Sequence, residues 1–217
     1  MSAQPPPPPV HFAPGAIVSR REFLYYLWAA SLAMFMAEAG GAVLWFALPR
    51  FKVGEFGGLF RIGMDDVPPP DSAPKAYDAG RFWLVHVGEA AAADSRHPSG
   101  FATRPGVIAL YKICVHLGCL YQWKPTNDRF ECPCHGSKYL KDGTRVYKPA
   151  NRDLDRYFVQ AVDADGNVLA ATKAGDANAD PEAGQPIPIP PGAVALIVDT
   201  GQRIPGRRSD GPGTVPD

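Results

Sequence analysis

The chain is poor in cysteine: four residues in 217, too few for a fold built on disulfides. It has no excess of charge, with 22 basic against 22 acidic side chains, so nothing in it asks for nucleic acid or another polyanionic partner. It has no internal repeat, and none of the paired C-x-x-C knuckles that build a zinc ribbon. Proline and glycine are plentiful instead, at 24 and 22 residues, which favours loops, turns and short strands over a helical bundle. The length suits one ordinary domain with extras, or two small domains.

One long apolar run stands out. Phe23 to Leu48 carries a single charge, Glu38, and is flanked by Tyr25, Tyr26, Trp28 and Trp45, aromatics suited to a membrane–water boundary. At about 1.5 Å per residue it can cross a hydrocarbon core of roughly 30 Å. Residues 19–49 therefore read as a membrane anchor. Its start, Ser19-Arg20-Arg21-Glu22-Phe23-Leu24, resembles a twin-arginine export signal, which would leave the N-terminus in the cytoplasm. No small-residue cleavage site is evident, so the anchor is expected to stay. Ala29, Ala33, Ala37 and Gly41 form a small-residue stripe, and Glu38 should face protein or water, as in an anchor within a larger membrane complex.

Residues 1–18 contain five successive prolines, Pro5 to Pro9, and read as a disordered cytoplasmic tail. Residues 50–60, with Gly54, Gly57 and Gly58, read as a flexible hinge that overlaps the tether-like stretch 53–63. Residues 61–200 break into short β-type runs: Phe82–Val87, Val107–Ile113, Arg145–Tyr147, Tyr157–Val162 and Ala193–Val198, with turn signals at Asp142-Gly143 and Asp165-Gly166-Asn167. That predicts an all-β, antiparallel domain. The Pro/Gly-rich stretch 171–192 is poorly determined, and 201–217 reads as a C-terminal tail.

All four cysteines and two of the five histidines fall in two short stretches, Cys114-Val115-His116-Leu117-Gly118-Cys119 and Cys132-Pro133-Cys134-His135-Gly136-Ser137. A rubredoxin-like or ferredoxin-like site would take four thiols and leave the histidines idle. A blue-copper site would take one thiol. A two-iron cluster of mixed ligation takes two thiolates and two imidazoles, one of each from each stretch. Two thiols then remain, one per stretch, and can pair as a disulfide. His11, His86 and His97 have no such context.

These stretches closely resemble the Rieske [2Fe–2S] pattern C-T-H-L-G-C and C-P-C-H-G-S, departing only at Val115. The resemblance implies an antiparallel β-sandwich with an inserted cluster-binding subdomain (cluster loops at 114–139), preceded by one transmembrane helix. It implies Cys114 and Cys132 as ligands of the inner iron and His116 and His135 as ligands of the outer, exposed iron. It implies a Cys119–Cys134 disulfide, Leu117 as a cover over the cluster, and hydroxyls of Ser137 and Tyr139 that raise the cluster potential by hydrogen bonding. A third loop of the family, G-P-A-P, corresponds here to Lys148-Pro149-Ala150-Asn151, which keeps only the central Pro-Ala.

What the resemblance implies functionally is one [2Fe–2S] cluster per chain in the electron-transfer subunit of a quinol:cytochrome c oxidoreductase-type complex. His135 would bind quinol, and His116 or His135 would release its proton on the outer side. The expected partners are a cytochrome b-type membrane subunit, quinol, and a c-type cytochrome or similar acceptor. The expected place is a bacterial cytoplasmic membrane, with the domain on the periplasmic side. The runner-up is the Rieske subunit of an arsenite-oxidase-like molybdenum oxidoreductase.

Overall fold

The computed structural model describes residues 18–48, 58–98 and 103–208. The proline tail up to residue 17, the glycine hinge up to Gly57 and the chain beyond residue 208 lie outside the described residues.

The apolar run forms α1 (Arg20–Ala47), 28 residues or about 42 Å of helix. Ser19 starts it with a capping box: the Glu22 N–H donates to Ser19 Oγ at 3.3 Å, and the Ser19 N–H donates to Glu22 Oε2 at 2.9 Å. The same residues that resemble an export signal thus have a local task in starting the helix. Ser31 Oγ donates to the Leu27 carbonyl at 2.8 Å, so its hydroxyl is satisfied within the helix. No side chain of α1 is buried, and large apolar groups cover it all round. Such a helix has no core-facing stripe and needs an apolar medium.

Among the described residues of the second unit there are eleven strands: β1 (Leu59–Gly63), β2 (Lys75–Tyr77), β3 (Phe82–Val87), β4 (Gly106–Tyr111), β5 (Gln122–Lys124), β6 (Arg129–Glu131), β7 (Lys138–Tyr139), β8 (Arg145–Tyr147), β9 (Arg156–Val162), β10 (Val168–Ala171) and β11 (Ala195–Ile204). Seven of them make one sheet in the order β1-β11-β9-β4-β3-β2, with β10 also beside β9. The other four make a smaller sheet, β5-β6-β7-β8, inserted between β4 and β9. Every pairing is antiparallel. A short helix, α2 (Glu89–Ala92), follows β3.

The period of two along β3 and β4 decides the layering. Phe82, Leu84, Val107 and Ala109 face one core with Ile62, Val159, Leu196 and Val198. The alternate residues Val85, Val87, Ile108 and Leu110 face a second core shared with Cys114, Phe130, Cys132 and Tyr139 of the inserted subdomain. Both faces of the central strands are largely buried, which is why they read as mostly apolar runs, interrupted in β3 only by the half-buried His86. The large sheet curls around the first core. β1 and β3 are four strand steps apart, roughly 19 Å in a flat sheet, yet the Phe60 and Phe82 rings meet at 5.7 Å.

The predicted all-β class and the five expected strands are present. Several boundaries differ. The stretch read as tether yields β1 from Leu59, because Phe60 and Ile62 face the core and β1 pairs with β11. The last strand runs on to Ile204, and Arg208 bridges Arg152, so 201–208 belongs to the domain rather than to a tail. Within 171–192, Ile187 is 2% exposed and bridges Val107 through paired backbone hydrogen bonds of 2.7 and 2.9 Å.

Candidate metal centre

The two cysteine loops are built alike. In the first, the Cys114 N–H donates to the Cys119 carbonyl at 2.7 Å and the Gly118 N–H to the Cys114 carbonyl at 3.1 Å. In the second, the Cys132 N–H donates to the Ser137 carbonyl at 2.9 Å and the Gly136 N–H to the Cys132 carbonyl at 3.0 Å. Each is a six-residue turn that opens on a buried cysteine and has glycine fifth. Gly118 and Gly136 have φ of +83° and +85°, with open space where a Cβ would stand, so backbone conformation rather than room requires glycine there. β4 leads into the first loop, while β6 and β7 flank the second.

The loops face each other. Cys119 and Cys134 form a disulfide. Cys114 and Cys132 remain as free, buried thiols, 1% and 2% exposed. The sulfurs of Cys119, Cys132 and Cys134 lie within 4.8 Å of one another, but two of them are joined and so are not thiolates available to a metal. The His116 and His135 rings meet edge to face, with centroids 4.8 Å apart. His116 Nδ1 is buried and without a hydrogen-bond partner among the described residues. A buried polar atom left so is costly unless something binds it, and an iron ligated at that nitrogen would. Two free thiols, two imidazoles and one orphaned ring nitrogen at neighbouring loop tips fit a cluster of mixed ligation.

The surroundings of the two thiols are apolar and ordered. Tyr139 is fully buried, and its hydroxyl lies 3.1 Å from Cys114 Sγ. Burial, then this contact, holds the phenol well above its usual range, so it stays a hydrogen-bond donor. Burial likewise pushes the Cys114 thiol up, with the nearby Cys132 adding to the rise. A bound cation is what makes a thiolate favourable in such a site. Tyr121 packs on Phe130 and Tyr139 and donates to the Tyr111 carbonyl at 2.8 Å, tying the loops to the end of β4. Ser137 is fully buried, and its Oγ accepts the Ala150 N–H at 3.0 Å. Leu117 and Leu120 stand 69% and 60% exposed on the first loop, and His135 is exposed on the second.

The structure places Cys114 beside Cys132 and Tyr139, His116 against His135, Cys119 on Cys134, and Ser137 beside Tyr139, while Leu117 stands exposed on the first loop. Sequence reasoning gave no part to Tyr121 or to the Ala150 N–H. A tyrosine outside the motif carries no signal of its own, and a backbone donor carries none at all.

The family model for the Rieske [2Fe–2S] domain matches residues 87–158, from the end of β3 into β9. The cytochrome b6-f complex iron-sulfur subunit 2 of Nostoc sp. is 32% identical over 149 residues, 67% of this chain and 82% of that protein. The menaquinol:cytochrome c reductase iron-sulfur subunit of Geobacillus thermodenitrificans is 31% identical over 153 residues, 67% of this chain and 88% of that protein. The chain belongs to the Rieske iron–sulfur subunits of bc-type complexes. A shorter match, 44% identical over 62 residues to the cytochrome b6-f complex iron-sulfur subunit 3 of Nostoc sp., spans only about a third (34%) of that relative. As a Rieske protein the chain takes a [2Fe–2S] cluster as cofactor, and α1 makes it a single-pass membrane protein.

Proposed function

We propose that this Rieske protein carries electrons from membrane quinol to a c-type cytochrome or similar acceptor, within a complex that includes a cytochrome b-type subunit. Cys114 and Cys132 would hold the inner iron, and His116 and His135 the outer one. The observation that carries this reading is the convergence of two buried free thiols and two imidazoles on twin loops, with the other two thiols withdrawn into the Cys119–Cys134 disulfide.

The bound group supplies a one-electron acceptor, less negative than an all-thiolate cluster because two ligands are neutral. The rest is the work of the chain. The Tyr139 hydroxyl donates toward Cys114 Sγ and favours the more negative, reduced state. Ser137 offers a second buried hydroxyl from the closing position of the second loop. Leu117 and Leu120 at the first loop and Pro149 on the third are exposed apolar side chains that a docking partner would cover. His135, exposed at the second tip, would accept a hydrogen bond from the quinol hydroxyl and then hold its proton at whichever ring nitrogen is left free. Export by the twin-arginine route, which carries folded proteins, would place this domain on the outer side of a bacterial cytoplasmic membrane, and the proton would be released there.

The test is low-temperature EPR of membranes during a redox titration. A rhombic Rieske-type signal, lost together with quinol oxidation in His135→Ala, is expected. Full quinol oxidation by His135→Ala would sink the assignment of that residue.

A further inference from the structure

The third loop, Lys148-Pro149-Ala150-Asn151, touches the centre through one residue. Lys148, Pro149 and Asn151 are exposed, whereas Ala150 is 1% exposed and its methyl packs in the core shared by Cys114, Cys132 and Tyr139. Its N–H donates to Ser137 Oγ at 3.0 Å. The same serine is held at its other end, where its carbonyl accepts the Cys132 N–H at 2.9 Å. Ser137 thus stands between the third loop and a proposed iron ligand, beside the Tyr139 hydroxyl that reaches Cys114.

A serine hydroxyl has one hydrogen and two lone pairs, and its hydrogen turns to suit its partners. With one lone pair engaged by Ala150, the hydrogen is confined to the remaining directions, away from the third loop. Remove that donor and the hydroxyl regains its freedom, including orientations that turn a lone pair toward the added electron. A hydroxyl fixed as a donor stabilises the reduced state, and a freely turning one does so less.

We propose that the Ala150 N–H is a positioning group that orients the Ser137 hydroxyl toward the cluster, so that the third loop raises the reduction potential through this single hydrogen bond. The inference rests on the cluster site proposed above. It also answers what becomes of a loop that has Lys148 and Asn151 in place of the family's flanking Gly and Pro: both the methyl packing and the hydrogen bond that reach the centre come from the Ala that is kept.

The test is an EPR-monitored redox titration of the full chain in membranes, for Ser137→Ala, Ala150→Pro, their combination, and Ala150→Gly. Proline removes the N–H, while glycine keeps it. Ala150→Pro should lower the midpoint potential by no more than Ser137→Ala does, the combination should equal Ser137→Ala alone, and Ala150→Gly should stay close to wild type. Where Ala150→Pro does not assemble a cluster, lactate in place of Ala150 removes the same N–H while keeping the methyl, and the same results are required of it. Additive shifts, an unchanged potential without the N–H, or an equal shift in Ala150→Gly would each overturn the proposal. A wild-type chain with no Rieske signal would instead overturn the site itself.

Discussion

His97 was given no role from sequence, yet it sits in the connection from β3 to β4 and closes on Asp142 in the turn between β7 and β8. Its Nδ1 lies 2.8 Å from the Asp94 carbonyl, and its Nε2 lies 3.2 Å from Asp142 Oδ2. Both ring nitrogens face acceptors. A neutral imidazole has one N–H and would turn a lone pair on one of them, so only the imidazolium satisfies both. Burial works against the charge, but the hydrogen bond and charge of Asp142 outweigh it and raise the His97 pKa above its usual 6.5. Asp142 moves down in turn: burial opposes its charge, and the bonds from His97 and Thr144 overcome that. Nearby charges are largely spoken for: Asp94 pairs with Arg96 at 2.6 Å, and Lys141 with Asp128 at 3.1 Å. His97→Gln removes the charge and leaves Asp142 with its two Thr144 donors. A hydrogen bond to a charged group contributes about 1.5–3 kcal/mol, or roughly 3–12 °C in melting temperature for a domain of this size. The sign is fixed by linkage. A raised folded pKa gives stability that is complete below the unfolded value of about 6.5 and lost as pH rises through the folded value, at up to ~1.4 kcal/mol per pH unit. The lowered Asp142 pKa gives stability lost only as pH falls below about 4. Thermal unfolding of the full chain in detergent, followed by circular dichroism from pH 5 to 9, should show wild type well above His97→Gln near pH 5.5, with the gap closing toward pH 9. A gap that stays constant, or widens with pH, would mean that the folded imidazole is neutral and the reasoning fails.

Three further outcomes follow from the geometry. Replacing Cys119 and Cys134 together by serine opens a loop of sequence separation 15 and should cost about 3 kcal/mol, read as a lower melting temperature with faster bleaching of the cluster. Tyr139→Phe keeps the buried ring against Tyr121 but removes the hydroxyl 3.1 Å from Cys114 Sγ. A differential loss of about 1–1.5 kcal/mol corresponds to a fall of roughly 45–65 mV in a one-electron titration, and an unchanged potential would leave the hydroxyl without a redox role. At Gly106, φ is +151° and a Cβ would stand 2.3 Å from the Ile187 carbonyl oxygen. Gly106→Ala should therefore destabilise the domain by about 2–4 kcal/mol through strain and loss of the Val107–Ile187 bridge, measured by the same melting assay.

What was legible in the sequence was whatever depends on residue type at short range. Cys114, His116, Cys132 and His135 announce a mixed-ligand site because their chemistry is rare and their spacing short. Phe82–Val87 reads as a strand because both its faces are largely buried and all its residues but His86 carry the apolar signal. β1 was hidden for the opposite reason. Leu59 to Gly63 follows a run of glycines, and its strand character comes from β11, about 135 residues further on, which no local window contains. The same holds for Ile187, whose place is fixed by Val107 across the fold.

The centre repeats that division. Its proposed ligands are side chains that the sequence pattern singles out, but the groups that would orient them are distant or belong to the backbone. Cys114 is addressed by a tyrosine 25 residues away, Ser137 by an N–H 13 residues away, and the turn carrying Asp142 by a histidine 45 residues upstream. The Cys114–Tyr139 and His97–Asp142 contacts join the small sheet to the large one and exist only once the two have docked, whereas Ser137–Ala150 lies within the inserted subdomain. A substitution in the ligand set should thus abolish the cluster, whereas one in the orienting set should leave it assembled and move its potential or its stability with pH. The two kinds of residue are therefore separable by experiment even though they share one apolar core.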